Sequence, residues 1–311
     1  MLSRTAAALY WIGRYMERAE FTTRLLEATI RLGSLSAQSA SDQAWRSALA
    51  VVGASGAFDL ENEALSAFAA RRYLALSEEN SSSIRSCIAS ARDNARAARN
   101  MLTREVWEAI NRTWGVIRTR TSPGGTQGTL NLVEELRAEI RGFEGALTRM
   151  LRSEAYWFLR LGSVIERGDN TARLLDVKYY LLLPQGAQVG GRLDRDQWMT
   201  ILRIVSGQTA YRLIYRQALK PWLVADLLIF RRELPRSLAA AAQETVSLLG
   251  EFGSRSGRQG EADRLARRRL QGLQDGDVVQ LFNDGLHERL QRFLTENAAL
   301  DRAVAQQFRF P

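Results

Sequence analysis

Apolar side chains recur every three or four residues along this chain, and no stretch sustains the period-two alternation of a strand. Leu9, Ile12, Met16, Ala19, Thr23, Leu26 and Ile30 keep to one side of a helix. Their spacing predicts a helix over about 3–32, with Ser3 as N-cap and Gly33 as its stop. Ser41 and Asp42 open a helix through Trp45 and Val52, and GASGAFDLEN follows as a loop. Further helices carry Ala64 to Leu76, the run that starts from the polar caps Asn80 to Ser83, and Trp107 with Trp114. TSPGGTQG at 121–128 is the clearest break in the first half. Helix resumes from Glu134, and a long one covers about 153–182. PQGAQVGG at 184–191 breaks the second half, and helices follow around Trp198, Tyr211, Trp222 and Leu238. GEFGSRSGRQG at 250–260 reads as a flexible connection before two last helices around Leu265 and over 286–293, with Asp277 as the N-cap of the final one. The fold class is all-α.

Within that pattern one segment occurs twice. Residues 13–27 read GRYMERAEFTTRLLE and residues 162–176 read GSVIERGDNTARLLD, an offset of 166 − 17 = 149. The apolar stripe moves with it to Phe158, Leu161, Ile165, Gly168, Ala172, Leu175 and Tyr179. Trp45 to Val52 resembles Trp198 to Val205, and Ser83-Ile84 resembles Ser237-Leu238, at nearly the same offset. This predicts a large helical bundle of two tandem related halves, about 1–148 and 149–311, packed about a pseudo-twofold axis with the repeated helices between them.

Beside each apolar stripe runs a polar one: Gly13, Glu17, Glu20, Arg24 and Glu27, then Gly162, Glu166, Asp169, Arg173 and Asp176. Steps of four and three put each set on one helix face. Glu20–Arg24 and Asp169–Arg173 are self-satisfied i,i+4 pairs, but Glu17 beside Glu20 and Glu166 beside Asp169 repel and need a cation to offset desolvation. Arg18 and Arg167 point about 100° from the glutamates they follow. The partner therefore comes from another helix, a metal or a cationic ligand. Three readings stay open: a network closed by neighbouring arginines, a ligand or substrate site, and an oxygen-bound divalent metal that nothing in the spacing requires. The candidate binding set is Gly13, Glu17, Arg18, Glu20, Arg24, Gly162, Glu166, Arg167, Asp169 and Arg173, and the candidate acid/base residues are Glu17 and Glu166. Gly13 and Gly162 cost helix stability where they stand, which points to close approach of another backbone or of a ligand. Ala19 and Gly168 read as small residues between the two repeated helices.

Composition narrows the chemistry. One cysteine, Cys87, excludes an internal disulfide and reads as a buried small hydrophobe. With His287 the single histidine, no Cys/His zinc site can be assembled, and the Glu-x-x-His of di-iron bundles is missing. His287 shows no partner arrangement and reads as exposed or at the core edge. No phosphate-binding glycine loop occurs, so no cofactor and no nucleotide site of its own is expected. The net charge is 43 − 34 = +9, and 43 − 2 = 41 of the cations are arginines, Lys178 and Lys220 being the two lysines. The positives are interleaved with carboxylates rather than gathered in a stripe, which argues against nucleic acid. No apolar run of eighteen residues argues for a membrane span, and a cytoplasmic location is the expectation.

The opening MLSRTAAALYWIGRYMERAEFTTRLLE, the middle NSSSIRSCIASARDNARAAR with Trp107-Glu108, the second ERGDNTARLLD, and LPRSL at 234–238 together resemble the bacterial alpha-E domain family. The resemblance spans essentially all of 1–311 as a single domain. Ser81, where the family usually has proline, and Leu234, where asparagine is frequent, are local departures. The resemblance implies an all-helical protein. It also implies partners, because members are encoded beside or fused to a circularly permuted ATP-grasp protein, and often beside a transglutaminase-like peptidase. The implied role is an accessory or interaction protein of an ATP-grasp amide (peptide) ligase, binding the ligase or presenting a peptide or amine substrate. No complete catalytic motif favours enzymatic activity. The alternative is a carboxylate-based enzyme of peptide or amide metabolism, with its site between the two glutamate-bearing helices.

Overall fold

Among the described residues, two long helices cross at the centre of the protein and twelve others wrap them. The computed structural model describes residues 1–34, 38–61, 65–181, 191–278, 281 and 285–311. In chain order the helices are α1 Ser3–Ser34, α2 Gln38–Val51, α3 Ser55–Glu61, α4 Ala67–Leu76, α5 Ile84–Ala97, α6 Arg104–Ile117 and α7 Thr126–Thr148. Then follow α8 Glu154–Leu181, α9 Arg192–Ile204, α10 Gln208–Tyr215, α11 Pro221–Phe230, α12 Leu238–Ser256, α13 Glu261–Gln274 and α14 Leu286–Gln307. Among the described residues there is no strand, and the protein is all-α.

Helices α1 and α8 carry the repeated segment and pack along each other. Helices α5, α7, α2 and α9 pack on α1, while α12, α14, α2 and α9 pack on α8. Further out, α6 joins α5 to α7, and α13 joins α12 to α14. The predicted stripe residues Leu9, Ile12, Met16, Ala19, Thr23, Leu26 and Ile30 are all buried, as are Phe158, Leu161, Ile165, Gly168, Ala172 and Leu175. The side chain of Tyr179 lies outside the described set. Burial extends well past those stripes: Tyr10, Phe21, Thr22, Leu25 and Thr29 are also inside, so α1 is wrapped nearly all round. A helix surrounded this way shows a weak apolar stripe in sequence, because every face meets protein.

Where propensity and packing conflict, packing wins. The loop expected over 53–62 forms α3 instead, because Phe58 is buried and packs edge-on against Tyr73 at 5.2 Å. The expected connection at 250–260 is helical through Ser256, and the chain turns only at Gly257, with φ 68°. The buried row Leu248, Leu249 and Phe252 carries α12 through its two glycines. The final helix is capped at Gly285 rather than Asp277, whose carbonyl instead accepts from the Leu281 N–H. The break expected at 184–191 lies outside the described residues except for Gly191, as does the predicted helix start at Ala64. Ser83 and Ser237 cap α5 and α12 as predicted, each hydroxyl accepting the backbone N–H three residues on. No helix among the described residues is long and apolar enough to cross a membrane.

Candidate functional site

The central crossing is set by two glycines. A Cβ on Gly13 would overlap the carbonyl oxygen of Leu159, and one on Gly162 would overlap that of Tyr10. Each glycine thus lets the opposite backbone pass at contact distance, which accounts for a residue that weakens both helices. Ser163 Oγ sits in the same contact, 3.3 Å from the Gly13 carbonyl. Gly168 behaves differently from the expectation. It faces Phe293 of α14 and Ala241 of α12 rather than α1, because six residues past Gly162 the helix has turned a different face.

One turn past the glycines, each Glu-Arg pair is satisfied across the crossing. Arg18 donates to Glu166 Oε1 and Oε2 at 2.6 and 3.0 Å, and Arg167 donates to Glu17 Oε1 and Oε2 at 3.1 and 2.6 Å. The rotation of about 100° between neighbouring residues, which prevents Glu17 from pairing with Arg18, is what aims each arginine at the other helix. A second arginine completes each knot. Arg14 Nε reaches Glu166 at 2.6 Å, while Arg236 bridges Glu17 at 2.6 Å and Glu20 at 2.7 Å. Glu20 also accepts from Arg24. Both crossing glutamates and Glu20 are buried. Burial alone would push the Glu17 pKa up, but Arg167 and Arg236 outweigh it and hold the carboxyl at about 2. The same balance, with Arg14 and Arg18 as the cations, keeps Glu166 below the ordinary carboxylate range.

Asp169 and Arg173 form the predicted pair at 2.7 Å, and Asn297 of α14 donates to Asp169 at 3.3 Å. All ten residues selected from the sequence therefore lie on α1 and α8, but not in one cluster. Glu17, Glu20, Arg24, Arg167 and Arg236 gather on one side of the crossing, and Arg18, Glu166, Asp169 and Arg173 on the other. Among the described residues no three His, Cys, Asp or Glu side chains gather as a metal cluster would require.

Several members carry no signal in the sequence pattern. Arg14 completes one knot and also donates to Asp301 of α14 at 2.6 Å, where Tyr10 joins it. Arg236 completes the other from the loop before α12. Both stand inside motifs that carry the resemblance, GRYMER and LPRSL, but nothing local assigns them a carboxylate on another helix. His287 does have a partner, Asp176 Oδ1 at 2.6 Å, and so ties α14 to α8. Cys87 is buried, and that burial pushes its thiol pKa up to about 12.

Beside Glu166 a cavity of about 270 Å³ opens, bordered by Arg18, Glu166, Asp169, Asn170 and Arg173, with Gly53 and Ser82 opposite. Asn170 is buried, and its Nδ2 has no hydrogen-bond partner. Beside Glu17 and Glu20, by contrast, the Arg236 guanidinium sits between the two carboxylates. By sequence, the offset 236 − 82 = 154 is that of the repeated serine caps, which aligns Ser82 with Arg236.

No curated protein and no solved structure matches this chain. The family model that does match covers residues 1–308 and is described as a predicted alpha-helical domain with a conserved ER motif. Two of the chain's three Glu-Arg dipeptides, Glu17-Arg18 and Glu166-Arg167, lie where the two central helices exchange ion pairs. From end to end, this chain belongs to the Alpha-E family.

Proposed function

We propose that the protein is a binding module that works with a circularly permuted ATP-grasp amide ligase, presenting a small amine- and carboxylate-bearing substrate to it or docking on it. The observation that carries this reading is the cavity beside Glu166. It borders two guanidinium groups and two carboxylates, and one buried Asn170 amide donor lacks a partner. A balanced set of this kind suits a dipolar ligand such as the end of a peptide. An unpaired buried donor costs roughly 1–3 kcal/mol, which a ligand acceptor would recover. An ATP-grasp ligase joins an amine to an acyl phosphate, so such a ligand belongs to the chemistry that the family context implies. A transglutaminase-like peptidase would act on the same amide bonds.

The crossing glutamates themselves support scaffolding over proton transfer. A general acid or base works best with a pKa near the operating pH, whereas arginines hold Glu17 and Glu166 ionised. We also infer that the two halves are tandem copies about a pseudo-twofold axis. The exchanged ion pairs, the exchanged glycine contacts and the matched serine caps support it.

The test is amide formation by the purified ligase with and without this chain, paired with a pull-down of the two proteins. Wild type is expected to bind and stimulate, and Asn170→Leu, which removes the unpaired donor at the cavity, to bind without stimulating. Neither binding nor stimulation by the wild-type chain would remove the reading.

A further inference from the structure

A second and larger concavity lies away from the crossing, between the C-terminal half of α1, the face of α7 and the start of α10, with a volume of about 1070 Å³. Five arginines line it: Arg24, Arg31, Arg137, Arg141 and Arg203. Two carboxylates, Glu27 and Glu134, oppose them, which leaves a formal lining charge of 5 − 2 = +3. Glu27 is already engaged, accepting from both Arg31 and Arg137. Arg141 and Arg203 are exposed and form no ion pair among the described residues. Three guanidinium groups crowd one another: burial, then Arg24, and more weakly Arg141, lower the pKa of Arg137, whose Nε is buried without a hydrogen-bond partner. Arg24 and Arg137 are answered by Glu20 and Glu27, so the excess positive charge of this concave wall rests on Arg141 and Arg203.

The backbone adds to the same field. The first turn of α7, with Thr126 and Gln127, and that of α10, with Gln208 and Thr209, both border the cleft. Each begins at a glycine N-cap with no side-chain cap, so among the described residues no N-cap side chain satisfies their first N–H groups. Ser206, next to that second start, holds the left-handed φ of 56° and accepts from Arg24, which fixes one arginine against the wall. Among the described residues no aromatic side chain borders the cleft, so no base would stack on them there.

From the arginine excess and the concave shape, we propose that this cleft is a binding site for a small ligand carrying two or more oxyanion groups, as phosphates or as carboxylates. Guanidinium forks pair with either group bidentately. The proposal is independent of the cavity beside Glu166, and nothing at the crossing enters its test.

The experiment is titration calorimetry of the intact chain at low salt with inorganic tripolyphosphate, with a tri-glutamate peptide, and with a twelve-residue oligothymidylate. The charge reversal R141E/R203E takes the lining from +3 to 3 − 4 = −1 at two exposed positions. Tripolyphosphate binding that weakens at least tenfold in this variant assigns a phosphate ligand, and the same result with tri-glutamate assigns an acidic peptide. R203E alone serves as second variant should the double change alter the melting temperature, and there a loss of several-fold is expected. Absence of binding by both small anions, binding unchanged in the variants, or binding by the oligothymidylate alone would each overturn the proposal.

Discussion

At Glu17, guanidinium groups from α8 and from the loop before α12 close on one buried carboxylate, and at Glu166 two arginines of α1 do the same. Removing the charge from such a group leaves its partners buried without compensation, which costs far more than the intact pair contributes. Glu17→Gln is therefore expected to lower the unfolding free energy by about 3–5 kcal/mol, read from urea denaturation. An unchanged midpoint would show that the knot is dispensable. The sign of the pH dependence follows from the same geometry. The folded-state pKa of Glu17, about 2, lies below its ordinary value of 4.5, so the ionised group contributes stability that is fully present above pH 4.5 and is lost as the pH falls towards 2. Melting temperatures followed by circular dichroism from pH 6 down to pH 2 are expected to fall mainly inside that window, and less steeply in Glu17→Gln.

The helices take their places from what lies between them. Helices α1 and α8 approach closely because Gly13 and Gly162 lack a Cβ, and only that approach lets Arg18 and Arg167 span the gap. Gly162→Ala places a methyl against the Tyr10 carbonyl, so the loss should reach about 3 kcal/mol, the upper part of the usual overpacking range. Gly145 on α7 is a useful contrast, because nothing lies within 4 Å of its missing Cβ. Gly145→Ala is expected to gain about 0.5–1 kcal/mol from helix propensity alone. Thermal melts of the two variants side by side check both signs. Periodicity makes the long helices legible, since their apolar positions recur over many turns. It misses α3 and the C-terminal end of α12, where glycines and short length mask residues that tertiary contact buries.

Across the whole molecule, α5 and α7 pack on α1, and α12 and α14 pack on α8. Helices α1 and α8 each cover a face of the other, so parting them would expose both. Residues 1–148 and 149–311 expressed separately are therefore expected to be poorly folded alone, and to purify together as a helical complex when coexpressed. Stable, cooperatively melting separate halves would contradict this dependence. The duplicated segment is the part of the candidate site most legible in the amino-acid sequence, because its polar positions recur at one offset with their spacing intact. Arg14, Arg236, Asp301 and His287 are not legible there, since their partners lie 111 to 291 residues away on helices whose neighbours cannot be read from spacing.

The order of residues along the chain is thus enough to dictate the helical class, the twin segments, and the need for each crossing glutamate to find a cation. Local periodicity and the cost of burying a bare charge suffice for those. Three other features arise only in the folded molecule: which cation answers which carboxylate, the Arg236 that sits between two carboxylates on one side of the crossing while a cavity remains on the other, and the five dispersed arginines that face one cleft. Such pairings depend on how helix axes cross and diverge, and that geometry is set by the summed packing of the whole core.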